Sequence, residues 1–254
     1  MILDSFSLAA NRALVTGASR GLGQAIAIAM AEAGADVGCV SSREGGAAET
    51  AAGVRGLGRE AWEFAGDLSD REAVLRVARE AEEAMGSVDI LVNCAGTIRR
   101  RPAIDHTEDE WDEVIRTNLD AVFFMSQAIG RAMVARKKGK IVNVASLLSF
   151  SGGITVPGYA ASKHAVAGLT KALANEWAAS GVQVNAVAPG YFTTDVTEAL
   201  RNDPKRSVEI LGRIPAGRWG NASDISGAVV FLASTAADYV NGHILVVDGG
   251  WMAR

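Results

Sequence analysis

Short apolar runs alternate with longer amphipathic ones along most of the chain. The short runs predict strands over residues 13–16, 37–40, 62–64, 90–93, 140–144, 182–187 and 243–247. The longer runs predict helices over residues 21–34, 45–57, 71–85, 108–135 and 159–179. Strands that alternate with helices at this spacing pair in parallel through right-handed crossovers. The pattern therefore predicts an α/β fold, with a doubly wound parallel sheet of about seven strands and helices on both faces.

The alternation breaks between residues 193 and 220, where charges accumulate and Pro204 and Pro215 interrupt any periodicity. No internal repeat and no low-complexity linker separates this segment from the rest. We therefore predict one dinucleotide-binding and catalytic domain over residues 1–254, with a substrate lid around 191–220. The hypothesis is that the lid closes over the substrate and excludes water.

Composition narrows the class of protein. Hydrophobic residues make up 49% of the chain and charged residues 21%, which supports a large core and excludes disorder. The net charge of -4 gives no general attraction to nucleic acid or to an anionic membrane. Cys39 and Cys94 stand far apart without metal-ligand spacing, so we expect buried thiols and no metal site. The first twelve residues lack a signal-peptide pattern, and no apolar run reaches the roughly 18 residues that span a bilayer. We expect a cytoplasmic location.

The loop after the first predicted strand reads TGASRGLG and runs directly into a helix. A dinucleotide pyrophosphate needs a tight turn, a close approach of the backbone and a helix N-terminus with free N–H groups. Small residues in this order supply all three, which points to a Rossmann-type cofactor site. The candidate pyrophosphate-binding residues are Gly17, Ser19, Arg20, Gly21, Leu22 and Gly23.

The loop after the second strand, expected to hold the adenosine ribose, contains Ser41, Ser42 and Arg43. No acid stands at the end of the strand itself, and Arg43 with Arg20 could pair with a 2′-phosphate, which favours NADP(H). Glu44 lies about twenty residues beyond the last loop glycine, the spacing of an NAD-type acid, so NAD(H) remains an alternative. The ends of the next two strands add five candidate cofactor-binding residues: Asp67, Leu68, Asn93, Ala95 and Gly96.

A candidate catalytic set follows. Tyr159 and Lys163 are four residues apart at the start of a predicted helix and project from one face. A nearby ammonium and a positive nicotinamide would favour the phenolate of a tyrosine base. Ser146 ends the fifth strand, where its hydroxyl could bind a substrate oxygen, and Asn118 lies inside the long helix before it, where asparagine is unfavourable.

The chain resembles the short-chain dehydrogenase/reductase family from end to end. The resemblance is carried by TGASRGLG (16–23), NCAG (93–96), Asn118, Ser146, YAASK (159–163) and PGYFTT (189–194). It implies that Tyr159 is the acid/base, that Lys163 lowers its pKa and holds the ribose, that Ser146 orients the carbonyl and that Asn118 supports a proton-relaying water. It also implies nicotinamide contacts from Pro189, Gly190, Phe192 and Thr194. Cys94 departs from the family, which usually has a second asparagine there, and its effect on the adenine pocket stays open.

Further segments resemble the members of this family that act on deoxy sugar acids of the 2-dehydro-3-deoxy-D-gluconate and 2-deoxy-D-gluconate type. They are MILDSFSL, GTIRR (96–100), FFMSQ (123–127), RIPAGRWG (213–220) and DYVNGHILVVDGGW (238–251). A sugar acid needs a cationic clamp, and Arg99, Arg100 and Arg218 are candidates beside Ser146. The alternatives are a 3-oxoacyl-carrier-protein reductase, a gluconate 5-dehydrogenase and, more remotely, a non-catalytic nucleotide sensor. The family resemblance also implies a homotetramer.

Overall fold

The computed structural model describes residues 1–254 with the exception of the Val196 side chain. Its seven strands follow the predicted apolar runs, with ends that differ by at most two residues. They are β1 Arg12–Thr16, β2 Asp36–Ser41, β3 Ala61–Ala65, β4 Ile90–Asn93, β5 Gly139–Val144, β6 Val182–Pro189 and β7 Ile244–Val247. Each pairs in parallel with its neighbours in the order β3-β2-β1-β4-β5-β6-β7, which confirms the predicted doubly wound sheet.

The helices cover both faces of the sheet. Their bounds are α1 Gly21–Glu32, α2 Ala48–Gly56, α3 Arg71–Met85, α4 Glu108–Ile115, α5 Ala121–Arg136, α6 Pro157–Trp177, α7 Asp195–Asn202, α8 Pro204–Arg213 and α9 Ser226–Ala233. One apolar layer packs α1, α2 and α9 against the sheet, and the other packs α3, α5 and α6 against its opposite face. In the described part of the chain, none of the helices has the length and apolar character to cross a bilayer.

One predicted helix is interrupted. The stretch predicted as a single helix over 108–135 is α4 and α5, joined by a π-helical turn at Arg116–Asp120. A π turn inserts one extra residue into the helical ladder, and such turns occur frequently at functional sites. Asn118 lies in this turn, which explains how an asparagine of low helix propensity is accommodated there.

The excursion between residues 193 and 220 contains two short helices, α7 and α8, which the periodicity did not predict. Its two ends lie together, because Thr193 N donates to Gly220 O at 2.8 Å and Gly220 N donates to Tyr191 O at 2.9 Å. Ile210 of α8 is buried against Leu147 and Trp251, and this contact attaches the excursion to the body of the domain.

Candidate active site and cofactor cavity

A cavity of about 1220 Å³ opens at the carboxyl ends of the parallel strands. Its walls come from the segments that follow β1, β2, β4, β5 and β6, together with α8 and the C-terminal residues. The strand order reverses between β1 and β4, and ligands of open α/β sheets bind at such a reversal. The cavity therefore lies where the topology predicts a ligand.

The turn after β1 brings backbone close to backbone. Gly17 has φ of 70°, and a Cβ there would lie 2.9 Å from the Cα of Ala95. A Cβ on Gly23 would lie 2.1 Å from the carbonyl oxygen of Gly17, so α1 can approach the turn only because this residue is glycine. The loop lines the cavity and ends at the N-terminus of α1, whose free N–H groups and positive dipole suit a pyrophosphate. The residues present fit a dinucleotide.

Some of the residues predicted to bind the adenosine part of the cofactor line the cavity, and others do not. Ser41, Ser42, Asp67 and Leu68 line the cavity, whereas Arg43 and Glu44 do not. The Ser41 hydroxyl donates to the backbone oxygen of Arg43 at 2.8 Å and fixes this loop. Arg20 lines the cavity and forms an ion pair with Asp195 of α7 at 2.7 Å.

The segment after β4 is held against β1 by a single hydroxyl. The backbone N–H groups of Cys94 and Ala95 both donate to Thr16 Oγ1, each at 3.0 Å. Cys94, Ala95 and Gly96 line the cavity. Asn93 instead points into the sheet, where its amide donates to Ser126 at 3.0 Å and to Asn143 at 2.9 Å, so it does not line the cavity.

Ser146, Tyr159 and Lys163 meet on one wall of the cavity. Ser146 follows β5, its hydroxyl accepts from Leu148 N at 3.2 Å, and its interaction with Tyr159 acts to lower the pKa of the phenol. The Lys163 ammonium is buried, donates to the backbone oxygen of Val144 at 2.6 Å and lies 5.7 Å from the Tyr159 ring centroid. The arrangement places a hydrogen-bonding hydroxyl, a phenol and an ammonium at one point, which suits proton transfer to or from a substrate oxygen.

Burial controls the protonation of this set. It raises the pKa of Tyr159 above the ordinary tyrosine range, and the Ser146 hydrogen bond and the Arg100 charge oppose the rise only in part. Burial also lowers the pKa of Lys163 to about 8. The sequence analysis predicted that neighbouring positive charge lowers the tyrosine pKa, but in the protein alone burial outweighs it.

Asn118 lies behind the catalytic wall and is fully buried. Its side-chain oxygen accepts from Thr97 N at 2.8 Å, and its amide donates to Thr97 O at 2.9 Å and to Ser162 Oγ at 3.2 Å. These three bonds tie the π turn to the segment after β4 and to α6. Asn118 itself does not line the cavity, although its neighbour Thr117 does.

The residues predicted to contact the nicotinamide follow β6. Pro189, Gly190, Phe192 and Thr194 all line the cavity. A Cβ on Gly190 would lie 2.7 Å from the Cα of Asp248, so glycine lets β6 and the segment after β7 approach each other.

No group of three or more metal-ligating side chains occurs in the portion of the chain that the structure describes.

The candidate arginines separate into two groups. Arg99 pairs with Glu113 and Arg218 pairs with Asp224 at 2.6 Å, and neither lines the cavity. Arg100 does line it. Three cavity arginines were not predicted from the sequence: Arg206 and Arg213 on α8, and Arg254 after β7. Arg206 and Arg213 are seven residues apart, and this spacing was the only signal in the sequence. It does not show that the two side chains line a cavity unless the packing of α8 is known.

Known proteins match this chain in sequence and in fold. The family model described as short chain dehydrogenase matches residues 11–205. The chain is 56% identical over 100% of both chains to a 2-dehydro-3-deoxy-D-gluconate 5-dehydrogenase of Pseudoalteromonas atlantica. It is 55% identical to a protein of the same name from Bacillus subtilis, over 99% of this chain and 98% of that one. A gluconate 5-dehydrogenase of Burkholderia cenocepacia, solved in complex with NADP and tartrate, superimposes over 100% of both chains with a TM-score of 0.96 at 42% identity.

Proposed function

The chain belongs to the short-chain dehydrogenase/reductase family and is an NAD(P)-dependent oxidoreductase, and from this premise we propose that it interconverts a secondary alcohol and a ketone on a sugar acid. The substrate class is that of 2-dehydro-3-deoxy-D-gluconate or 2-deoxy-D-gluconate. The observation that carries the proposal is the joint presence of Ser146, Tyr159 and Lys163 with five arginines in one cavity. Full-length relatives at 55% and 56% identity that bear this activity in their names support it.

In the oxidative direction, Tyr159 as its phenolate accepts the proton of the substrate hydroxyl while the hydride leaves the same carbon. A nicotinamide held in this cavity would supply the acceptor for that hydride. The Ser146 hydroxyl donates a hydrogen bond to the substrate oxygen and holds it beside the phenol. In the reverse direction Tyr159 returns the proton to the carbonyl oxygen, and we assign the acid/base role to this residue.

Lys163 and Asn118 have supporting roles in the proposal. The Lys163 ammonium stabilises the phenolate across the short distance between the two side chains and binds the ribose. Asn118 fixes the π turn against Thr97 and Ser162, which keeps the segment after β4 in place. We also assign to Asn118 the support of a proton-relaying water.

We assign NADP(H) as the preferred cofactor. Arg20 lines the cavity, whereas Arg43 and Glu44 both lie outside its lining, so the predicted NAD-type acid is not placed in the cavity. The relative from Burkholderia cenocepacia was solved with NADP. The other assigned cofactor contacts are the cavity residues that follow β1, β3, β4 and β6: Gly17, Ser19, Gly21, Leu22, Gly23, Asp67, Leu68, Ala95, Gly96, Pro189, Gly190, Phe192 and Thr194.

The proposal extends to the whole molecule. Residues 1–254 act as one domain, in which 191–220 forms a lid over the substrate. The protein acts in the cytoplasm as a homotetramer. Two free cysteines, one fully buried, support a reducing compartment, and cell fractionation tests the location.

The test is an initial-rate assay that follows reduced nicotinamide by absorbance, with NAD⁺ and NADP⁺ offered separately. The substrates are 2-deoxy-D-gluconate, D-gluconate and, with reduced cofactor, a 3-oxoacyl thioester. We expect turnover of the deoxy sugar acid with preference for NADP⁺, and a decrease in kcat of roughly 10²- to 10⁴-fold in Tyr159→Phe.

Each alternative has its own outcome in this assay. Turnover of the thioester alone would identify a carrier-protein reductase, and preference for D-gluconate would identify a gluconate 5-dehydrogenase. Cofactor binding without turnover of any substrate would indicate a nucleotide sensor. Normal turnover by Tyr159→Phe would overturn the proposed mechanism.

A further inference from the structure

One face of α8 lines the substrate end of the cavity. Arg206, Glu209, Ile210 and Arg213 all contribute to the wall. Positions three, four and seven apart share a face of an α-helix, so this wall is a continuous stripe. Ile210 is 2% exposed and packs with Leu147, the residue after Ser146. The stripe is therefore anchored next to the catalytic hydroxyl.

The guanidinium of Arg213 is oriented by an aromatic ring. Its central carbon lies 4.1 Å from the ring centroid of Trp251. Trp251 is itself fixed, because it is 9% exposed and its ring centroid lies 4.6 Å from that of Tyr191. Stacking fixes the plane of a guanidinium while leaving its N–H edge able to bind an anion.

Arg213 forms no ion pair with any residue that the structure describes. Of the nearby arginines, Arg254 also lines the cavity without an ion pair to any described side chain and donates to Gly212 O at 3.0 Å, whereas three others pair with carboxylates. Arg206 pairs with Glu209 at 2.9 Å, Arg101 with Glu110 at 2.8 Å and Arg218 with Asp224 at 2.6 Å. Arg213 thus combines a position over the ring of Trp251, a place in the cavity wall and a charge that has no ion pair with a carboxylate in the described residues.

We propose that Arg213 binds the carboxylate of the substrate and makes the enzyme specific for acids over neutral sugars. The proposal rests on the proposed function, since a carboxylate ligand requires a sugar-acid substrate. The planar guanidinium offers two parallel N–H donors, the geometry that matches a carboxylate. With the reacting carbon at Ser146 and Tyr159, the acid end extends toward α8, and Arg100 lines the same cavity.

The test compares the sugar acid with its neutral primary amide in the protein and in three variants. Arg213→Met keeps an apolar side chain of similar length over Trp251 and removes the charge. Arg213→Lys keeps the charge without the planar fork. Lys205→Met removes a charge from an exposed position of the same helix that does not line the cavity, and serves as the matched control.

We expect Arg213→Met to lower kcat/KM for the acid by roughly 10- to 100-fold, the loss of one charge-assisted pair. The change should lie mainly in KM, and kcat/KM for the amide should stay within about twofold, because the amide never used the charge. Arg213→Lys should recover part of the loss, and Lys205→Met should behave as the unaltered protein. Equal losses for acid and amide would indicate a structural role and overturn the proposal.

The proposed function and the role of Arg213 are overturned by different results. If the unaltered protein turns over the sugar acid and Arg213→Met keeps its preference for acid over amide, Arg213 is not the carboxylate ligand and the proposed function stands. If the unaltered protein turns over no sugar acid, the proposed function is overturned and the role of Arg213 with it.

Discussion

Lys163 lies where an ammonium is costly. It is 4% exposed and has one hydrogen bond to a backbone oxygen, and burial lowers its pKa to about 8. Tyr159 beside it has its pKa raised by the same burial. The protein alone therefore disfavours the charged forms of both Lys163 and Tyr159. The charges of a bound ligand can then change the protonation of these two groups.

The pH dependence of stability reports on Lys163. In the unfolded chain this lysine keeps its proton up to its ordinary pKa of 10.5, whereas in the fold it loses the proton near pH 8. Between these values the unfolded state binds more protons, so rising pH stabilises the fold. The free energy of unfolding of the unaltered protein, minus that of Lys163→Met, should therefore rise by about 3 kcal/mol from pH 8 to pH 10.5.

Denaturant unfolding at several pH values measures this difference. Lys171→Met is the control, because Lys171 lies on the same helix but is exposed, and its pH dependence should match that of the unaltered protein. A constant difference between Lys163→Met and the unaltered protein across the range would contradict the argument.

At the residue scale, local sequence patterns identified the residues that bind through their backbone and the residues that stand at a fixed spacing. The glycine loop, Tyr159 with Lys163, and Ser146 at a strand end all line the cavity. Local patterns could not show which of the candidate substrate-binding arginines line the cavity. Arg99, Arg100 and Arg218 look alike in sequence, and only packing shows that Arg99 and Arg218 pair with acids outside the cavity.

At the element scale, the parallel strands were predictable because strands buried on both faces read as continuous apolar runs. The two helices of the excursion were not. Both helices are short, α7 with eight residues and α8 with ten, and they lie in a charged segment that Pro204 interrupts. No residue of α7 is described as buried, and Ile210 is the one described as buried in α8. The π turn could not be predicted either, because one extra residue within a helix does not change the residue composition by which a helix is recognised.

The same weak anchoring supports the lid. Helices with few buried side chains open at low free energy, and the ion pair of Arg20 with Asp195 is largely exposed. We expect amide exchange in α7 and α8 to slow on addition of NADP⁺ with a sugar acid, because closure protects their backbone hydrogen bonds. Hydrogen exchange read by mass spectrometry measures the change.

The helix α3 provides the internal reference for that experiment, since it buries six side chains against the sheet away from the cavity. Its exchange should not change with ligands. Unchanged exchange in both α7 and α8 would show that the excursion is not a lid.

At the scale of the whole molecule, β3 and β7 form the two edges of the sheet. Strand β7 pairs with β6 alone, and all four of its residues stay partly exposed. Tyr239, shortly before it, is completely exposed. Unpaired edge strands with apolar residues favour association with another chain. We expect sedimentation velocity at micromolar concentration to give a particle of four times the chain mass, and a monomer at that concentration would contradict the proposed tetramer.

The π turn at Arg116–Asp120 has a consequence for how the chain can vary in length. Each residue of an α-helix adds about 100° of rotation and 1.5 Å of rise. Deleting one residue from the turn would restore a regular helix, but it would also rotate all of α5 by about 100° relative to α4. Met125 and Ile129 would then leave the core, and Asn118 would lose Thr97. The spacing between the two helices is thus as much a part of the active site as the identity of any residue in it.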